Sequence, residues 1–581
     1  MSVETPSRPK DVVPTLEYLT PESPARRFFH SAAVVRTMSV ALAVLVWQLV
    51  GSRYSYVVSD PSAVFHAYPK IFVSQGLPAF GRTSQGMGIG FAICVLFGVP
   101  IGVLIGRSRL AYLILEPYVI MLFSIPFVAL FPVLILVDGI NLKFRVSCVI
   151  LAGIFPIIIN TARGVRMVSQ DYLDVGESMV AGRIRTITSI VIPGSARFIF
   201  AGIRVGFARA MIGSVVVEIE AMPNGVGYIL SRYTQQFVLQ DYFAIVIVLG
   251  FYALFFTNLI TIAERWTLEP WRRRRSVARL NDVPSGAAFA VSVSSGTVST
   301  WYRIGRAFSV LSRVVTLTSL RMAGVLRNRS AAWLVKILTL VLIVVIWNWR
   351  AENTSRAVLS SPKAVLESLW SLLVTQRQMW GPIGISFEIL VVGFIVSLAV
   401  GLPVGILMGR SRLAEKALDP YVAYLYALPH AVFIPVMVHW LSFRFKFAVC
   451  YVFVSAVFPV IINTMSGVKG TDPDLIDTGI SFCASERKIR SSIVIPSAIP
   501  MMLTGARVAF SASWVGTIVA EILTTNTGLG GDIQYYSDEF KTPAMYASII
   551  VIMVIAVILL QLSVRMERRL TPWLAPTSIE G

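Results

Sequence analysis

The chain has 581 residues, 55% of them apolar and 14% charged, with a mean hydropathy of +0.72. Soluble domains hold about 45–50% apolar and about 25% charged residues, so the composition excludes an ordinary cytosolic enzyme. The formal net charge of +20 would suit a nucleic-acid binder, but the charges fall between apolar runs, as in membrane proteins that keep Lys and Arg on the cytoplasmic side.

Residues 1–28 contain five prolines and several acids with no apolar core, so 1–32 reads as a cytoplasmic N-terminal tail and not a signal peptide. A first repeat over 33–263 holds apolar runs near 33–51, 86–106, 112–137, 144–162, 198–219 and 243–263. A basic linker follows over 264–331, opening with Arg272 to Arg275 and passing through a Ser-, Gly-, Ala- and Val-rich stretch at 285–300. It reads as a flexible tether. Its basic block suits either a grip on anionic lipid or simple anchoring of topology. The second repeat, 332–570, has runs near 332–349, 387–409, 415–438, 446–466, 501–522 and 545–564, with a cytoplasmic tail over 571–581. A span consumes about 20 apolar residues. The sequence therefore predicts an all-α polytopic membrane protein with about 12 transmembrane helices in two tandem six-helix repeats.

The repeats are related without a gap at an offset of 303. Gly106-Arg107-Ser108-Arg109-Leu110-Ala111 recurs as Gly409-Arg410-Ser411-Arg412-Leu413-Ala414. The same register maps Pro126, Pro132 and Pro156 onto Pro429, Pro435 and Pro459, Glu218 onto Glu521, and Glu264-Arg265 onto Glu567-Arg568. An even span count in each half makes the repeat parallel. Arg107, Arg109, Arg163, Arg166, Arg183, Arg185 and Arg197 mark one side of the membrane, and the stretch from Arg265 to Arg329 holds twelve arginines. The segments after the fifth runs are acidic instead, with Glu218, Glu220 and Asp241, then Glu521, Asp532, Asp538 and Glu539. Both termini are therefore expected in the cytoplasm. Cys94, Cys148, Cys450 and Cys483, and the scattered histidines His30, His66, His430 and His439, have no metal or redox spacing. No metal or cofactor is expected on this chain.

Between the fourth and fifth runs each half carries a segment too polar to span: Asp171 through Arg185, continuing to Pro193, and Asp474 through Arg490, continuing to Pro496. Each reads as a short helix along the cytoplasmic face, ended by the proline before the next span. Such an element can dock a partner and pass its movement to two spans.

These segments resemble the cytoplasmic loop of permease subunits of type I ABC importers, in particular the nitrate/sulfonate/taurine permease group. There the loop has the form Glu-Ala-Ala, three residues, Gly, then Ile-x-x-Pro, and the fifth span begins Gly-x-Arg and ends Ala-Glu. Pro193 and Pro496 match the proline; Gly202-Ile203-Arg204 and Gly505-Ala506-Arg507 match the Gly-x-Arg; Ala520-Glu521 matches the end. Asp174-Val175-Gly176 and Asp477-Thr478-Gly479 stand where the family has Glu-Ala-Ala, and Val180 and Cys483 stand at the loop glycine. Loss of that glycine, which permits a bend between two short helices, predicts an altered docking geometry. The resemblance covers roughly 80–270 and 380–573 and implies ATPase-coupling helices formed by Asp174, Gly176, Val180, Arg183 and Pro193, with Asp477, Gly479, Cys483, Arg487 and Pro496. No Gly-Lys dipeptide occurs, so the chain lacks a GxxxxGK[ST] phosphate loop. ATP would then be bound by two copies of a separate cytoplasmic ABC ATPase, with an extracytoplasmic solute-binding protein on the acidic face and the chain in the cell's inner membrane.

Met211, Ser214 and Glu218, with Trp514, Thr517 and Glu521, are candidates for the pathway or gate. The two glutamates lie near the outer end of the fifth span. They are expected either at an outer gate or, more simply, as hydrated interfacial carboxylates. Met211 opposite Trp514 would make the pathway asymmetric. Arg204 and Arg507 are expected to anchor the cytoplasmic end of that span. The paired prolines suit a kinked wall beside a hydrated pathway and ordinary packing kinks equally. The leading reading is an importer permease for a small solute, an anion such as nitrate, a sulfonate or a related organic acid. The alternative is an ion-gradient-driven secondary transporter with two parallel repeats, which would want a buried acid at midmembrane and has no use for two docking helices. A membrane scaffold or sensor would need neither.

Overall fold

A computed structural model describes residues 32–55, 57–180, 182–280, 329–355, 358–442, 445–525 and 527–572. Of the linker expected as a flexible tether over 264–331, residues 264–280 and 329–331 are instead helical, as continuations of the neighbouring spans, and 281–328 lie outside the described residues, as do residues 1–31 and 573–581 of the expected tails. Among those described, all regular structure is helical. The first half runs α1 (Ala32–Arg53), α2 (Pro61–Ile71), α3 (Leu77–Arg107), α4 (Arg109–Ser124), α5 (Phe131–Asp138), α6 (Leu142–Arg166), α7 (Gln170–Ser178), α8 (Arg183–Thr186), α9 (Ile192–Glu220), α10 (Val226–Gln235) and α11 (Leu239–Leu280). The second half repeats this order as α12 (Arg329–Glu352), α13 (Pro362–Trp370), α14 (Trp380–Arg410), α15 (Arg412–Ala427), α16 (Ile434–Leu441), α17 (Phe445–Lys469), α18 (Pro473–Ser481), α19 (Glu486–Ile489), α20 (Ile495–Ala520), α21 (Gly528–Asp538) and α22 (Thr542–Leu570).

Among the described residues ten helical stretches are long and apolar enough to cross a membrane. The third run of each half, where a proline kink is expected, bends far more sharply than a kink. It folds as α4 and α5 meeting at 92°, and as α15 and α16 meeting at 89°. Pro126 and Pro429 cause the bend, because a residue before proline is pushed out of the helical region. Ile125 is accordingly extended at ψ 125, and Leu428 at ψ 138. Pro132 and Pro435 sit in the first turn of the next helix, where no amide proton is needed. Pro156 and Pro459 lie within α6 and α17, which run on past them.

Within each half, small residues bring the second and fourth spans together. A Cβ on Gly90, Gly98 or Gly102 would come within 2.6, 3.1 or 2.6 Å of Val149, Ile157 or Thr161 on α6. Gly393, Gly401 and Gly405 repeat the arrangement against Val452, Val460 and Thr464 on α17 at 2.5, 2.8 and 2.6 Å. Close helix approach of this kind drives packing where lipid supplies no hydrophobic force. The duplicated Gly-Arg-Ser-Arg motif also finds its reason here. It ends one helix and starts the next, the Ala111 and Ala414 amides donating to the hydroxyls of Ser108 and Ser411 at 3.3 and 3.2 Å.

The two halves exchange their third elements. α4 packs on α12 and α22 of the second half, and α15 packs on α1 and α11 of the first. Ser39 Oγ donates to the Ala417 carbonyl at 2.9 Å, Tyr424 OH to that of Ile247 at 3.2 Å, and Tyr242 OH to that of Val432 at 2.6 Å. The 3-10 turn at Phe127–Leu130 reaches α20, and its counterpart at His430–Phe433 reaches α9. The bends therefore stand on the seam between the halves, against the fifth spans.

Candidate functional site

The polar segment after the fourth span is a helix, a sharp turn and a second helix. α7 and α18 expose Asp174 and Asp477 and bury Gly176 and Gly479. A Cβ on either glycine would approach Ile190 or Ile493, at the root of the fifth span, to 2.8 Å, so glycine lets the short helix lie directly on that root. Val180 and Cys483 make the turn at φ 52 and φ 51, in the left-handed region. Their amides bond back to the Glu177 and Ile480 carbonyls at 2.9 and 2.8 Å. The bend that the loop glycine would permit is kept without it: both positions hold the backbone that a glycine would adopt, at the steric cost of a side chain there.

The chain does not stop at Pro193 and Pro496 either. From Arg183 and from Glu486 it stays helical into the fifth span, through a π turn at Ile187–Val191 and at Arg490–Val494. Each proline then occupies the first turn of α9 or α20. The break falls instead at Val180 and Cys483. Arg487 is exposed, and the side chain of Arg183 lies outside the described residues. Around the turn Met179, Val180 and Phe482 are 70%, 90% and 82% exposed, an apolar tip on an otherwise polar segment. The root is anchored to the sixth span by Arg204 with Glu264 and Arg507 with Glu567, both at 2.6 Å, as expected of helix-end anchors.

At the other end of the fifth span, Glu218 and Glu521 are completely buried, which overturns the expectation of hydrated carboxylates. Glu218 accepts from Thr83 Oγ1 and from the Gly227 amide, each at 2.9 Å, while the Val226 amide donates to Thr83 Oγ1 at 3.0 Å. Glu521 is held in the same way by Ser386 at 2.7 Å and the Gly530 amide at 2.9 Å, with the Leu529 amide on Ser386 at 3.0 Å. Each carboxylate thus clasps the N-terminus of the outer helix α10 or α21, where free amides favour a negative group. Gly225 (φ 107) and Gly528 (φ 71) are required there twice over, by conformation and because a Cβ would strike the carboxylate.

The remaining pathway candidates are buried. Met211 packs with Met87, Phe207 and Ala253, and Ser214 Oγ donates to Glu218 at 3.4 Å. Trp514 lies in the core beside Phe387, and Thr517 Oγ1 donates to the Ser513 carbonyl at 2.9 Å. The open face of the helix is turned away from them. Val205 and Ala208 are exposed on α9, as are Val508 and Ser511 at the same positions of α20.

Two arginines inside the apolar spans were not among the expected site residues. Arg145 on α6 is buried, 3.6 Å from Glu218, and donates to the Arg82 and Asn224 carbonyls at 2.8 and 3.0 Å and to Asn224 Oδ1 at 2.6 Å. Arg209 sits on the open face of α9. The second half has Ala448 and Ala512 at these positions. A comparison of the repeats for mismatches, and not only for matches, would have found both.

The description of the binding-protein-dependent transport system inner membrane component family matches the chain twice, over residues 98–273 and 401–572. The chain belongs to that family. It is the membrane-spanning permease component of an ATP-driven importer, and each matched region takes in one of the polar segments and one buried glutamate with the outer helix it clasps. The permease is similar to an aliphatic sulfonates transport permease protein of Bacillus subtilis (28% identical, 42% of this chain and 88% of the relative). It is similar to the taurine transport system permease protein of Escherichia coli (29%, 40% and 88%). It is also similar to the nitrate import permease protein of Leptolyngbya laminosa (26%, 31% and 68%). Each spans less than half of this chain, as single permeases matched to a tandem pair would.

Proposed function

We propose that the permease carries a small oxyanion of the sulfonate class into the cytoplasm by alternating access. Two copies of an ATPase dock on the two coupling segments, and an extracytoplasmic solute-binding protein delivers the anion. Both termini lie in the cytoplasm, and the chain resides in the cell's inner membrane. ATP is bound by the partner, with no cofactor on this chain. The observation that carries this reading is the pair of coupling segments. Each presents an exposed apolar tip, rests on the root of the fifth span through Gly176 or Gly479, and is clamped to the sixth span by an arginine. Movement of a docked ATPase pair is thereby passed to two spans in each half at once. The named substrates of the relatives, sulfonates, taurine and nitrate, support the oxyanion class. The clasps at Glu218 and Glu521 hold the outer helices on which the binding protein would settle, and Met211, Ser214, Trp514 and Thr517 form the wall behind the pathway face.

The test is reconstitution of the full chain with its ATPase in proteoliposomes. ATP hydrolysis is followed as binding protein loaded with sulfonates, nitrate or neutral heterocycles is added. Stimulation by a loaded sulfonate, with uptake of that anion, is expected. Uptake that follows an imposed ion gradient without ATP would return the secondary-transporter reading.

A further inference from the structure

Most polar features of this chain come in pairs related by the duplication: the clasps, the arginine–glutamate anchors and the helix caps. One group does not. Arg209 on α9 stands where the second half has Ala512. On the bend that faces it, Tyr426 and His430 stand where the first half has Phe123 and Phe127. Tyr451, on the fourth span behind the bend, replaces Cys148. Four polar side chains have an apolar or thiol counterpart in the other half, and all four gather at one place on the seam.

The geometry is consistent with an open station. Val205, Ala208, Arg209 and Ile212 share one face of α9 by helical spacing. That face looks toward the second half, because the His430–Phe433 turn packs on α9 and Arg209 lies within electrostatic reach of Tyr426 and His430. Arg209 and His430 are half-buried and Tyr426 is 55% exposed, so the group is not sealed in the core. The His430 ring lies 5.5 Å from that of Tyr451, whose buried hydroxyl has no hydrogen-bond partner among the described residues.

Arg209 also lacks what explains the other arginine in the spans. Arg145 is held by two carbonyls and the Asn224 side chain and is paired with Glu218. Among the described residues Arg209 has no ion pair or hydrogen bond, and its guanidinium carbon stands 5.7 Å from the Phe123 ring centroid. A cation inside a span without a counter-ion is costly and marks a polar pathway. We propose that Arg209, with Tyr426 and His430 from the opposite half, forms a single anion-holding station on the seam between the two halves, which takes one small sulfonate-like monoanion as it crosses. A single cation on one half suits a ligand without two-fold symmetry. This inference rests on the anion-importer reading above and names the residues that would meet the anion.

The experiment is equilibrium binding of radiolabelled methanesulfonate to the full chain in nanodiscs, without ATPase or binding protein, against the neutral isostere dimethyl sulfone. The wild type is expected to prefer methanesulfonate. Arg209→Gln should weaken its binding by about tenfold or more, the scale of a lost hydrogen bond to a charged group. Arg209→Lys should keep most of the affinity, and Tyr426→Phe should lose about two- to tenfold. Failure of the wild type to bind methanesulfonate, equal binding of dimethyl sulfone, or unchanged binding by Arg209→Gln would overturn the station. Should Arg209→Gln fail to enter nanodiscs, Tyr426→Phe decides, and wild-type affinity in that variant overturns it. ATP-driven uptake by the wild type is scored separately. Arg209-dependent binding without ATP-driven uptake would sink the importer reading and leave the station standing.

Discussion

The outer ends of the two fifth spans hold the same carboxylate in different surroundings. Glu218 and Glu521 accept from the same two kinds of donor at nearly the same distances, a hydroxyl from the second span and an amide from the outer helix. Behind Glu218, however, lies Arg145, seated in a space that Gly86 leaves open, since a Cβ there would run into its side chain. In the second half Ala448 stands for the arginine and Ile389 for the glycine, both buried. One half fills the space with a cation and the other with a branched aliphatic chain. The clasp therefore requires the carboxylate, the hydroxyl and the amide, whereas the filling behind it is free to vary provided its volume is conserved.

The sharpest way to break this comparison is to transplant one filling into the other half. Arg145→Ala leaves Glu218 buried without its cation and should cost about 3–5 kcal/mol. Gly86→Ile forces a side chain against Arg145 and should cost about 1–3 kcal/mol or more. The double variant reproduces the pair found in the second half. It should be more stable than the sum of the two predicts, by a coupling of about 0.5–3 kcal/mol. Denaturant titration of the purified chain in mixed micelles reads all three. Strict additivity would mean that the two positions do not share one space.

A milder test concerns the cytoplasmic end, where the halves agree. Arg204–Glu264 and Arg507–Glu567 have the same 2.6 Å separation and nearly the same exposure. Both pairs are about a third exposed on the arginine side, so each is expected to contribute only about 1 kcal/mol. Arg204→Ala and Arg507→Ala should lower stability equally, except that Glu567 keeps a hydrogen bond from Thr504 at 3.2 Å where the first half has Ala201. Unequal loss of ATP-driven uptake at equal stability would show that the two coupling segments carry unequal loads.

Much of this was legible before any coordinates. The unbroken register of the duplication located the repeats, the polar segments proposed for coupling and the helix-end arginines, because those features are local in sequence and occur twice. What could not be read arose from contacts between distant segments. Glu218 looked like a loop carboxylate because Thr83, which buries it, lies on another span and 135 positions away. The right-angled bends at Pro126 and Pro429 were seen only as kinks, since proline marks a break in the hydrogen-bond ladder but says nothing of the angle. Which face of the fifth span opens onto the seam is not legible for a similar reason. Helical spacing groups residues into faces, but only the neighbour identifies the outward one. Arg209 is legible as a charge in an apolar run, a mismatch between halves that otherwise agree.

The smallest expected effect lies at the turns of the coupling segments, where glycine is absent from both halves. A β-branched residue at positive φ is the least comfortable occupant of the left-handed region, and Val180 at φ 52 is one, whereas Cys483 at φ 51 is unbranched. Replacement by glycine removes a penalty of about 1–2 kcal/mol in the folded state and returns about 0.5–1 kcal/mol through the greater freedom of the unfolded chain. Val180→Gly should therefore stabilise by up to about 1.5 kcal/mol, and Cys483→Gly by less. Removal of the 90% exposed Val180 side chain also subtracts apolar surface from the docking tip. The two effects separate by experiment: thermal stability of the isolated chain should rise while retention of the ATPase on purification falls. If retention is unchanged, the tip contributes shape alone to docking; if stability falls, the valine holds the turn through contacts that outweigh its strain.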